Sequence, residues 1–316
     1  MKILAATLLC LFAITAHAQD KLTTVRVGTL KMAALTDPYI AQQLGIFKKH
    51  GLDVQLIEFN AGGEAVAAGR GGSIDIFLAI PGTVMVADER GFDMLAIFQN
   101  EIAKPVPPDS GAVLVRAESP IRSLQDLKGH KVVVSSLHSQ NAVSLQMLLK
   151  RQGIDLASIT WLEIPFPAHP DILRSKQADA VAAVDPYTTE LISSGVGREI
   201  AWYYIDYMPL QPLGAWFARR SYVEKNPQVI EAYNASIAEA MDHLNADPAR
   251  ARKEVVNFTG LRPELVADMP MIGWDYHVNL KLWQEVVDMM VASGELQKPH
   301  KVDEFLAPQI RAWVVN

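Results

Sequence analysis

The sequence contains one cysteine, Cys10, and it lies within the first eighteen residues. Without paired cysteines the protein gains no stability from disulfide bonds, so its stability has to come from an apolar core. The sequence also lacks a block of lysine and arginine residues that could track a phosphate backbone, which argues against nucleic acid as a partner. Beyond the first eighteen residues, no apolar run approaches the roughly 20 residues of a membrane-spanning helix. We therefore expect a water-soluble globular protein.

The N-terminus has the pattern of a secretory signal peptide. Lys2 is followed by the almost wholly apolar stretch 3–15 and by Ala16-His17-Ala18, an A-x-A cleavage pattern. A membrane anchor or a buried helix fits less well, because this apolar stretch is too short to cross about 30 Å of bilayer. Cys10 also lies too far upstream to be a lipid attachment site. We predict that residues 1–18 are cleaved and that the mature chain is periplasmic.

The mature chain is long enough for two domains and carries a moderate negative charge. Residues 19–316 are enough to bury a sizeable core, and a chain of this length is typical of a two-domain protein. The formal net charge is −6 for the whole sequence and −7 once Lys2 is removed with the signal peptide. The eight histidines show neither H-x-H nor H-E-x-x-H spacing, so we expect no metal and no cofactor.

One pattern of strands and helices occurs twice after the signal peptide. The first copy is predicted to contain a strand at 24–28, a helix from Asp37-Pro38 to Leu44, a strand at 54–59, a helix from Glu64 and a strand at 74–78. The second is predicted to contain a strand at 131–134, a helix ending at Arg151, a strand at 159–164, a helix at 170–176 and a strand at 178–181. Alternating strands and helices indicate an α/β fold with mostly parallel sheets, in which ligands bind at the carboxyl ends of the strands.

Two proline-containing passages, 104–108 and 210–212, are predicted to connect the two copies and to act as a hinge. They divide the chain into a discontinuous first lobe, residues 19–112 and 215–316, and a second lobe, residues 113–214. The C-terminal tail is predicted to be helical and to pack on the first lobe, because its apolar residues recur at helical spacing.

Four stretches of the sequence carry a resemblance to known periplasmic proteins. They are Val25–Leu30 with Tyr39–Val54, Gly72–Ile76, Ile121–Val132, and Phe217–Arg220 with Asn226-Pro227. These stretches resemble the ABC-transporter proteins that bind sulfonates, taurine, nitrate or the pyrimidine precursor of thiamine. The resemblance implies a type II periplasmic-binding-protein fold, a small ligand enclosed when two lobes close, and a permease of the inner membrane as docking partner. We expect a monomer in which the ligand shifts the population towards the closed state, without covalent chemistry.

The candidate ligand-binding residues of the first lobe lie in loops that follow predicted strands. They are Asp37, Asn60, Gly62, Gly63, Glu64 and Pro81. The glycines allow close backbone approach, and the following helix N-terminus suits an anion or a carbonyl, although the same loop also fits an ordinary helix cap. Asp37 and Glu64 either face the ligand or serve as a cap and a first-turn dipole partner.

The second lobe and the returning passage supply the other candidates. They are Ser136, His138, Ser139, Gln140, Asn141, Asp185, Tyr187 and Trp216. Ser139 also fits a helix N-cap, His138 fits a surface position equally well, and Asp185 fits a turn. Trp216, with the aromatic residues at 202–207, could stack on a ring or fill the space between lobes. Two acids facing the ligand would disfavour a bare sulfonate or nitrate and favour a nitrogen-bearing ring.

The predicted function is capture of a small organic ligand for an ABC importer, the ligand being a sulfonate, a carboxylate or a nitrogenous ring such as a pyrimidine. An enzyme similar to the periplasmic dehydratases of ring acids stays open, because such an enzyme needs only a few acid or base groups. The sequence has no G-x-S-x-G or P-loop motif, and it lacks the cysteine-rich motif of the similar thiamine pyrimidine synthase. A sensory binding protein would share the same fold and cleft.

Overall fold

The computed structural model describes residues 22–315 with the exception of Ala61. The predicted signal peptide lies outside the described residues. Within them, strands and helices alternate, and the strands form two five-stranded sheets. In this part of the chain, no helix is both long and apolar enough to span a bilayer. The α/β architecture predicted from the repeated pattern is confirmed.

The bounds of the elements follow the chain from Thr23 onwards. The strands are β1 (Thr23–Thr29), β2 (Leu52–Glu58), β3 (Ile76–Ala79), β4 (Met94–Ile102), β5 (Gly111–Arg116), β6 (Lys131–Val134), β7 (Thr160–Glu163), β8 (Ala180–Val184), β9 (Gly197–Ala201) and β10 (Pro212–Arg219). The α-helices are α1 (Thr36–Gln43), α2 (Ile46–Lys49), α3 (Gly62–Gly71), α4 (Pro81–Glu89), α5 (Gln140–Arg151), α6 (His169–Arg174), α7 (Tyr187–Ser193), α8 (Tyr203–Tyr207), α9 (Arg220–Lys225), α10 (Pro227–Ala246), α11 (Pro248–Thr259), α12 (Pro263–Asp268) and α13 (Leu280–Ser293).

The two sheets have the same arrangement of strands. The first has the order β2-β1-β3-β10-β4, and the second has the order β7-β6-β8-β5-β9. In each sheet, three strands of one predicted copy run parallel, and a fourth strand, β10 or β5, arrives antiparallel from the other sheet. The chain thus crosses between the sheets twice, between β4 and β5 and between β9 and β10. We call each sheet with its helices a lobe, the first lobe being built on β1 and the second on β6.

Proline and glycine mark several helix ends. α4, α10 and α11 begin at Pro81, Pro227 and Pro248, where the missing N–H removes no intrahelical hydrogen bond. α11 and α13 are followed by Gly260 and Gly294, both with positive φ, which glycine adopts without steric cost. These local signals explain why many element boundaries are readable in the sequence.

The start of α1 differs from the prediction. A short 3-10 helix at Ala33–Leu35 leads directly into α1, so the helix begins at Thr36 and Leu35 is its N-cap. Asp37 already lies in the first turn, and its interpretation as the N-cap is wrong. α3 likewise begins at Gly62, before the predicted start at Glu64.

The larger apolar core joins the first sheet to the C-terminal helices. Ile230, Tyr233, Ile237 and Met241 of α10 are fully buried in it, and α10 contacts α1, α2 and β4. The predicted return of the tail to the first lobe is therefore confirmed. The second sheet has a smaller core on each of its faces. Val143 of α5 belongs to the larger core, so apolar packing continues from one lobe to the other.

Candidate functional site

The lobes meet where the N-terminus of α4 faces the N-terminus of α5, a region we call the junction. The backbone N–H of Gly82 donates to Gln140 Oε1 at 2.6 Å, and Gln140 Nε2 donates to the carbonyl of Pro212 at 2.7 Å. Gln140 is fully buried, so it ties both lobes to the returning passage. A Cβ at position 82 would lie 2.9 Å from Gln140 Oε1 and 3.0 Å from Met290 Sδ, distances too short to tolerate without a shift. Glycine therefore permits the close approach of α4 and α5.

Two polar contacts join the lobes further out. His138 Nδ1 lies 2.9 Å from Glu295 Oε1, and Ser193 Oγ of α7 donates to Asp268 Oδ2 of α12 at 2.8 Å. The His138 side chain is 73% exposed, which places it at the surface. Exposed ion pairs of this kind contribute about 0–1 kcal/mol to stability. His138 thus lies between the lobes, and a protein carboxylate already engages it.

The segment from the loop after β6 into α5 contains a serine that is hydrogen-bonded locally and an asparagine oxygen that has no partner among the described residues. Ser139 is the N-cap of α5, because its Oγ accepts from Ala142 N at 3.3 Å, and it donates to the Ser136 carbonyl at 2.8 Å. Asn141 is buried, and its Oδ1 has no hydrogen-bond partner among the described residues. The hydroxyl of Ser139 and the carbonyl of Ser136 are therefore occupied within the loop, whereas Asn141 keeps an acceptor beside Gln140.

The loop between β2 and α3 lies apart from these contacts. Asn60, Gly62, Gly63 and Glu64 are exposed, and the N–H of Asn60 donates to Glu64 Oε2 at 3.2 Å. A Cβ at either glycine would meet no atom within 4 Å, so the surroundings of this loop are open. In the described part of the loop, no hydrogen bond reaches the second lobe. The structure does not bring this loop together with residues 136–141.

Asp37 belongs to a fully buried polar pair. Asn100 Nδ2, from β4, donates to Asp37 Oδ2 at 2.9 Å, and both residues are 0% exposed. Burial raises the pKa of Asp37 well above its usual value, although hydrogen bonds partly oppose the effect. Within the described residues, neither Asp37 Oδ1 nor Asn100 Oδ1 has a hydrogen-bond partner. The pair therefore presents two buried acceptors.

Trp216, Tyr187 and Pro81 occupy different surroundings. Trp216 on β10 is fully buried and lies edge-on to Tyr233 of α10, with ring centroids 5.5 Å apart. Tyr187 begins α7 and is partly exposed, and burial raises the pKa of its hydroxyl. Pro81 begins α4 beside Gly82, at the junction. Of the three, Trp216 lies within the core of the first lobe.

Three more carboxyl groups lie around the first crossing passage. Glu101 is near the end of β4, Asp109 precedes β5, and Asp185 follows β8. The N–H of Asp185 donates to the carbonyl of Ser110 at 2.9 Å, which holds the loop after β8 against the passage. Asp185 Oδ1 accepts from the N–H and the hydroxyl of Thr189 at 3.0 and 2.7 Å, so this oxygen caps α7. We call Asp37, Glu101, Asp109 and Asp185 the carboxyl cluster.

The pKa values in the carboxyl cluster are raised. Burial raises the pKa of Glu101 to about 8, the charges of Asp109 and Asp185 add to the effect, and Lys104 opposes it. Burial also raises the pKa of Asp185 to about 7, against the hydrogen bonds from Thr189. The pKa of Asp109 is raised by burial as well. In the described part of the chain, Asp109 Oδ2 and Asp185 Oδ2 are buried without a hydrogen-bond partner.

Sequence analysis missed Asn100, Glu101 and Asp109. A signal for the first two is present, because the polar residues 99–101 end an otherwise apolar strand at the edge where ligands bind in such sheets. Asp109 carries no comparable signal, since it follows a proline-rich passage. Among the residues that the structure describes, no group of three or more His, Cys, Asp or Glu side chains is placed to hold a metal ion.

Comparison with known proteins identifies relatives along most of the chain. The model of the NMT1-like family matches residues 18–259. An Escherichia coli protein named for the binding of aliphatic sulfonates is 30% identical over 190 residues, which are 59% of this chain and 56% of that protein, little more than half of its length. A binding protein of Brucella abortus is 25% identical over 280 residues, 82% of each chain. A 4-amino-5-hydroxymethyl-2-methylpyrimidine phosphate synthase of Saccharomyces cerevisiae is 22% identical over 244 residues, 73% of this chain and 68% of the synthase.

Solved structures show the same fold. The periplasmic aliphatic sulphonate binding protein of Escherichia coli superimposes with a TM-score of 0.76 at 21% identity, covering 91% of this chain and 98% of that one. The alkanesulfonate-binding protein of Xanthomonas axonopodis pv. citri, bound to MOPS, gives a TM-score of 0.74 at 22% identity, covering 93% and 99%. The family model matches more than half of this chain, and the solved structures share its fold. The chain therefore belongs to the NMT1-like family and has the two-lobed fold of periplasmic binding proteins.

Proposed function

We propose that this chain is the periplasmic solute-binding component of an ABC importer. It captures a small organic ligand, such as a sulfonate, a carboxylate or a nitrogenous ring, between its lobes and delivers it to a permease of the inner membrane. Two observations together carry the proposal. The chain crosses twice between two sheets of the same strand order, and buried polar groups near these crossings lack partners among the described residues. The fold shared with sulfonate-binding proteins supports it.

The double crossing suits a hinge between lobes. We place the first lobe at residues 19–112 and 215–316 and the second at residues 113–214. β5 starts at Gly111 and β10 at Pro212, a few residues before each of these limits. A ligand that contacts both lobes stabilises only the closed state, which lets a permease distinguish the loaded protein from the empty one.

The proposed ligand-facing residues are those predicted from the sequence, with Asn100 added from the structure. The predicted set is Asp37, Asn60, Gly62, Gly63, Glu64, Pro81, Ser136, His138, Ser139, Gln140, Asn141, Asp185, Tyr187 and Trp216. Asp37, Asn141 and Asp185 have the strongest support, because each has a buried oxygen without a partner in the described part of the protein. The exposed residues Asn60, Gly62, Gly63 and Glu64 would meet only a ligand that extends outwards from the junction.

Export is tested by expressing the full chain in a Gram-negative host. We expect the protein in the periplasmic fraction, with Gln19 as its N-terminal residue by mass spectrometry, because Ala16-His17-Ala18 is a cleavage pattern. Protein that stays in the cytoplasm with residues 1–18 attached would contradict the proposed location.

Ligand capture is tested by thermal-shift screening of the purified protein against sulfonates, nitrate, carboxylates, aminopyrimidines and flavins. A ligand that binds only the folded state raises the melting temperature by mass action. We expect one class of compound to do so, to bind with one molecule per chain, and to be recovered unchanged. Binding should also reduce the radius of gyration in solution scattering as the lobes close. A protein that binds none of these compounds would contradict solute capture.

A second candidate function is an enzyme of the same fold. The similarity to the yeast synthase favours it, and so does Glu101, whose raised pKa of about 8 suits a general acid near neutral pH. Incubation with ring acids and analysis of the products by mass spectrometry separates the two. If Glu101→Gln abolishes turnover while the compound still binds, the protein is an enzyme and the proposed transport function is wrong.

A further inference from the structure

The unsatisfied polar atoms around the carboxyl cluster include more hydrogen-bond acceptors than donors. Two groups near Asp37, the indole N–H of Trp216 and the hydroxyl of Tyr233, are donors without a partner among the described residues. The buried amide and carboxyl oxygens without partners among the described residues are Asp37 Oδ1, Asn100 Oδ1, Asp109 Oδ2, Asn141 Oδ1 and Asp185 Oδ2. Asp37 and Asn100 are 0% exposed, Asp109 is 3% exposed and Asn141 is 7% exposed. Buried polar atoms are nearly always hydrogen-bonded in folded proteins. A surplus of acceptors therefore calls for a molecule that supplies donors.

Most of these acceptors are close to one another around the first crossing passage. The charge of Glu101 acts on the pKa of Asp37, and the charges of Asp109 and Asp185 act on the pKa of Glu101. Asn100 connects the cluster to β10, because a Cβ at Gly214 would lie 3.3 Å from Asn100 Oδ1. The cluster therefore borders both strands through which the chain leaves and re-enters the first sheet.

Positive charge is scarce around the carboxyl cluster. Lys104 is the cation that lowers the pKa values of Glu101 and Asp109, through its charge. Among the salt bridges of the described residues, none includes a member of the cluster. An anion placed here would meet four acidic groups and one lysine, and it would further oppose the ionisation of carboxyl groups whose pKa values burial already raises.

We propose that the carboxyl cluster, with Asn100 and Asn141, binds a cationic group of the ligand that donates N–H hydrogen bonds, such as an ammonium, an amidinium or a protonated amino-substituted ring. This assignment rests on the proposed capture of a solute between the lobes and narrows its class. N–H donors pair with the orphan oxygens, and a bound positive charge favours the ionised form of the carboxyl groups, which opposes the effect of burial on their pKa values. A sulfonate or a nitrate, which offers only acceptors, does neither.

Four aryl compounds with one ring and different head groups test the charge class. They are benzamidinium, benzamide, benzoate and benzenesulfonate, each titrated into the purified exported protein by calorimetry at neutral pH. We expect benzamidinium to bind at least about tenfold more tightly than benzamide, because a charged hydrogen bond is the stronger one. We expect no binding of the two anions. Propylammonium and propanesulfonate repeat the comparison without a ring.

Two neutralising variants locate the cation. Asp37→Asn and Asp185→Asn keep the side-chain shape and remove one ionisable carboxyl group each, and we expect each to weaken the binding of benzamidinium by about tenfold to a hundredfold. Glu231→Gln removes one charge from the exposed face of α10 and should leave the affinity unchanged. Circular dichroism and the melting temperature of each variant report whether it is folded.

The outcomes separate this inference from the function on which it rests. Tighter binding of benzenesulfonate or benzoate than of benzamidinium would overturn the charge class and leave solute capture intact. Failure of both cations to bind would also overturn it, as would folded Asp37→Asn and Asp185→Asn variants that keep the affinity of the wild type for benzamidinium. Solute capture itself falls only if the wider thermal-shift screen finds no ligand.

Discussion

The loops 60–64 and 136–141 were both predicted to line the ligand site, but they have different compositions and different positions in the fold. Each follows a strand and leads into a helix. The described residues of the first are exposed, and the Asn60 N–H is bonded to Glu64, whereas the second supplies Gln140 and Asn141 to the junction. The strand before the first loop, β2, is the edge of its sheet, while β6 is an inner strand. The true counterpart of loop 136–141 is the segment that leads from β1 into α1, whose first turn carries buried Asp37. The place of a strand in its sheet, more than loop composition, decides what reaches the junction.

The largest difference in stability between the two loops is expected when the hydrogen bonds of Gln140 are removed. Gln140→Ala leaves the Gly82 N–H and the Pro212 carbonyl buried without a partner, at a cost of about 1–3 kcal/mol for each group. We expect the melting temperature to fall by about 2–4 °C per kcal/mol, measured by scanning calorimetry. Asn60→Ala, in the exposed loop, is the matched control and should change stability by less than about 0.5 kcal/mol. Equal losses in the two variants would contradict the contrast between the loops.

The carboxyl cluster predicts a pH dependence of stability that the exposed loop lacks. Because burial raises the pKa of Glu101 from 4.5 to about 8, the folded protein holds this proton at pH values where the unfolded chain has released it. Its contribution to stability therefore falls as pH rises from about 4.5 to 8. Asp109, Asp185 and Lys104 are the charged groups that act on it.

The variant Glu101→Gln isolates this effect. We expect it to melt close to the wild type at pH 5, where the wild-type carboxyl is protonated, and above the wild type at pH 9, where that carboxyl is ionised. Thermal melts across this range measure the difference, and Glu231→Gln serves as the exposed control. A difference that is constant with pH would show that Glu101 titrates at its ordinary pKa.

A smaller effect is expected on ligand affinity from the two asparagines. Asn141→Ala removes a buried acceptor and should weaken the ligand found by screening by about two- to tenfold, the range of one neutral hydrogen bond. Asn60→Ala should change affinity by less than this, because Asn60 is exposed and its N–H is bonded to Glu64. Isothermal titration measures both. A larger effect of Asn60→Ala would mean that the loop 60–64 closes over the ligand.

The smallest effect is expected at the outer contact of the second loop. His138→Ala removes an exposed pair with Glu295, worth about 0–1 kcal/mol. We expect only a slight fall in melting temperature by scanning calorimetry, because the pair is exposed. A loss as large as that of Gln140→Ala would indicate that His138 contributes through packing.

The sequence predicted the elements better than it predicted the site. Pro81 and Pro227 at helix starts and Gly260 and Gly294 after helix ends act within a few residues, so the boundaries they mark are readable without the fold. The position of Asp37 in its helix was harder to predict, because the 3-10 helix before α1 moves the start of α1 upstream.

The site was harder still, because its members come from distant parts of the chain. Asn100 and Asp37 are separated by 63 positions, and their hydrogen bond depends on β4 reaching the buried side of α1. The bond between Gln140 and Gly82 likewise requires that α5 of one lobe faces α4 of the other. The spacing of these residues along the sequence does not reveal that either pair lies within hydrogen-bond distance.

By itself, the sequence determined the α/β alternation, the repeated copy, many helix ends and the resemblance to a family, because each depends on local propensity or on residues read in order. The tertiary structure decided which loops meet, which carboxyl groups are buried and which acceptors are left without protein partners. These follow from strand order and from desolvation, and both are set by long-range packing. The sequence names the groups, and only their burial together shifts their pKa values and defines the charge of the ligand they suit.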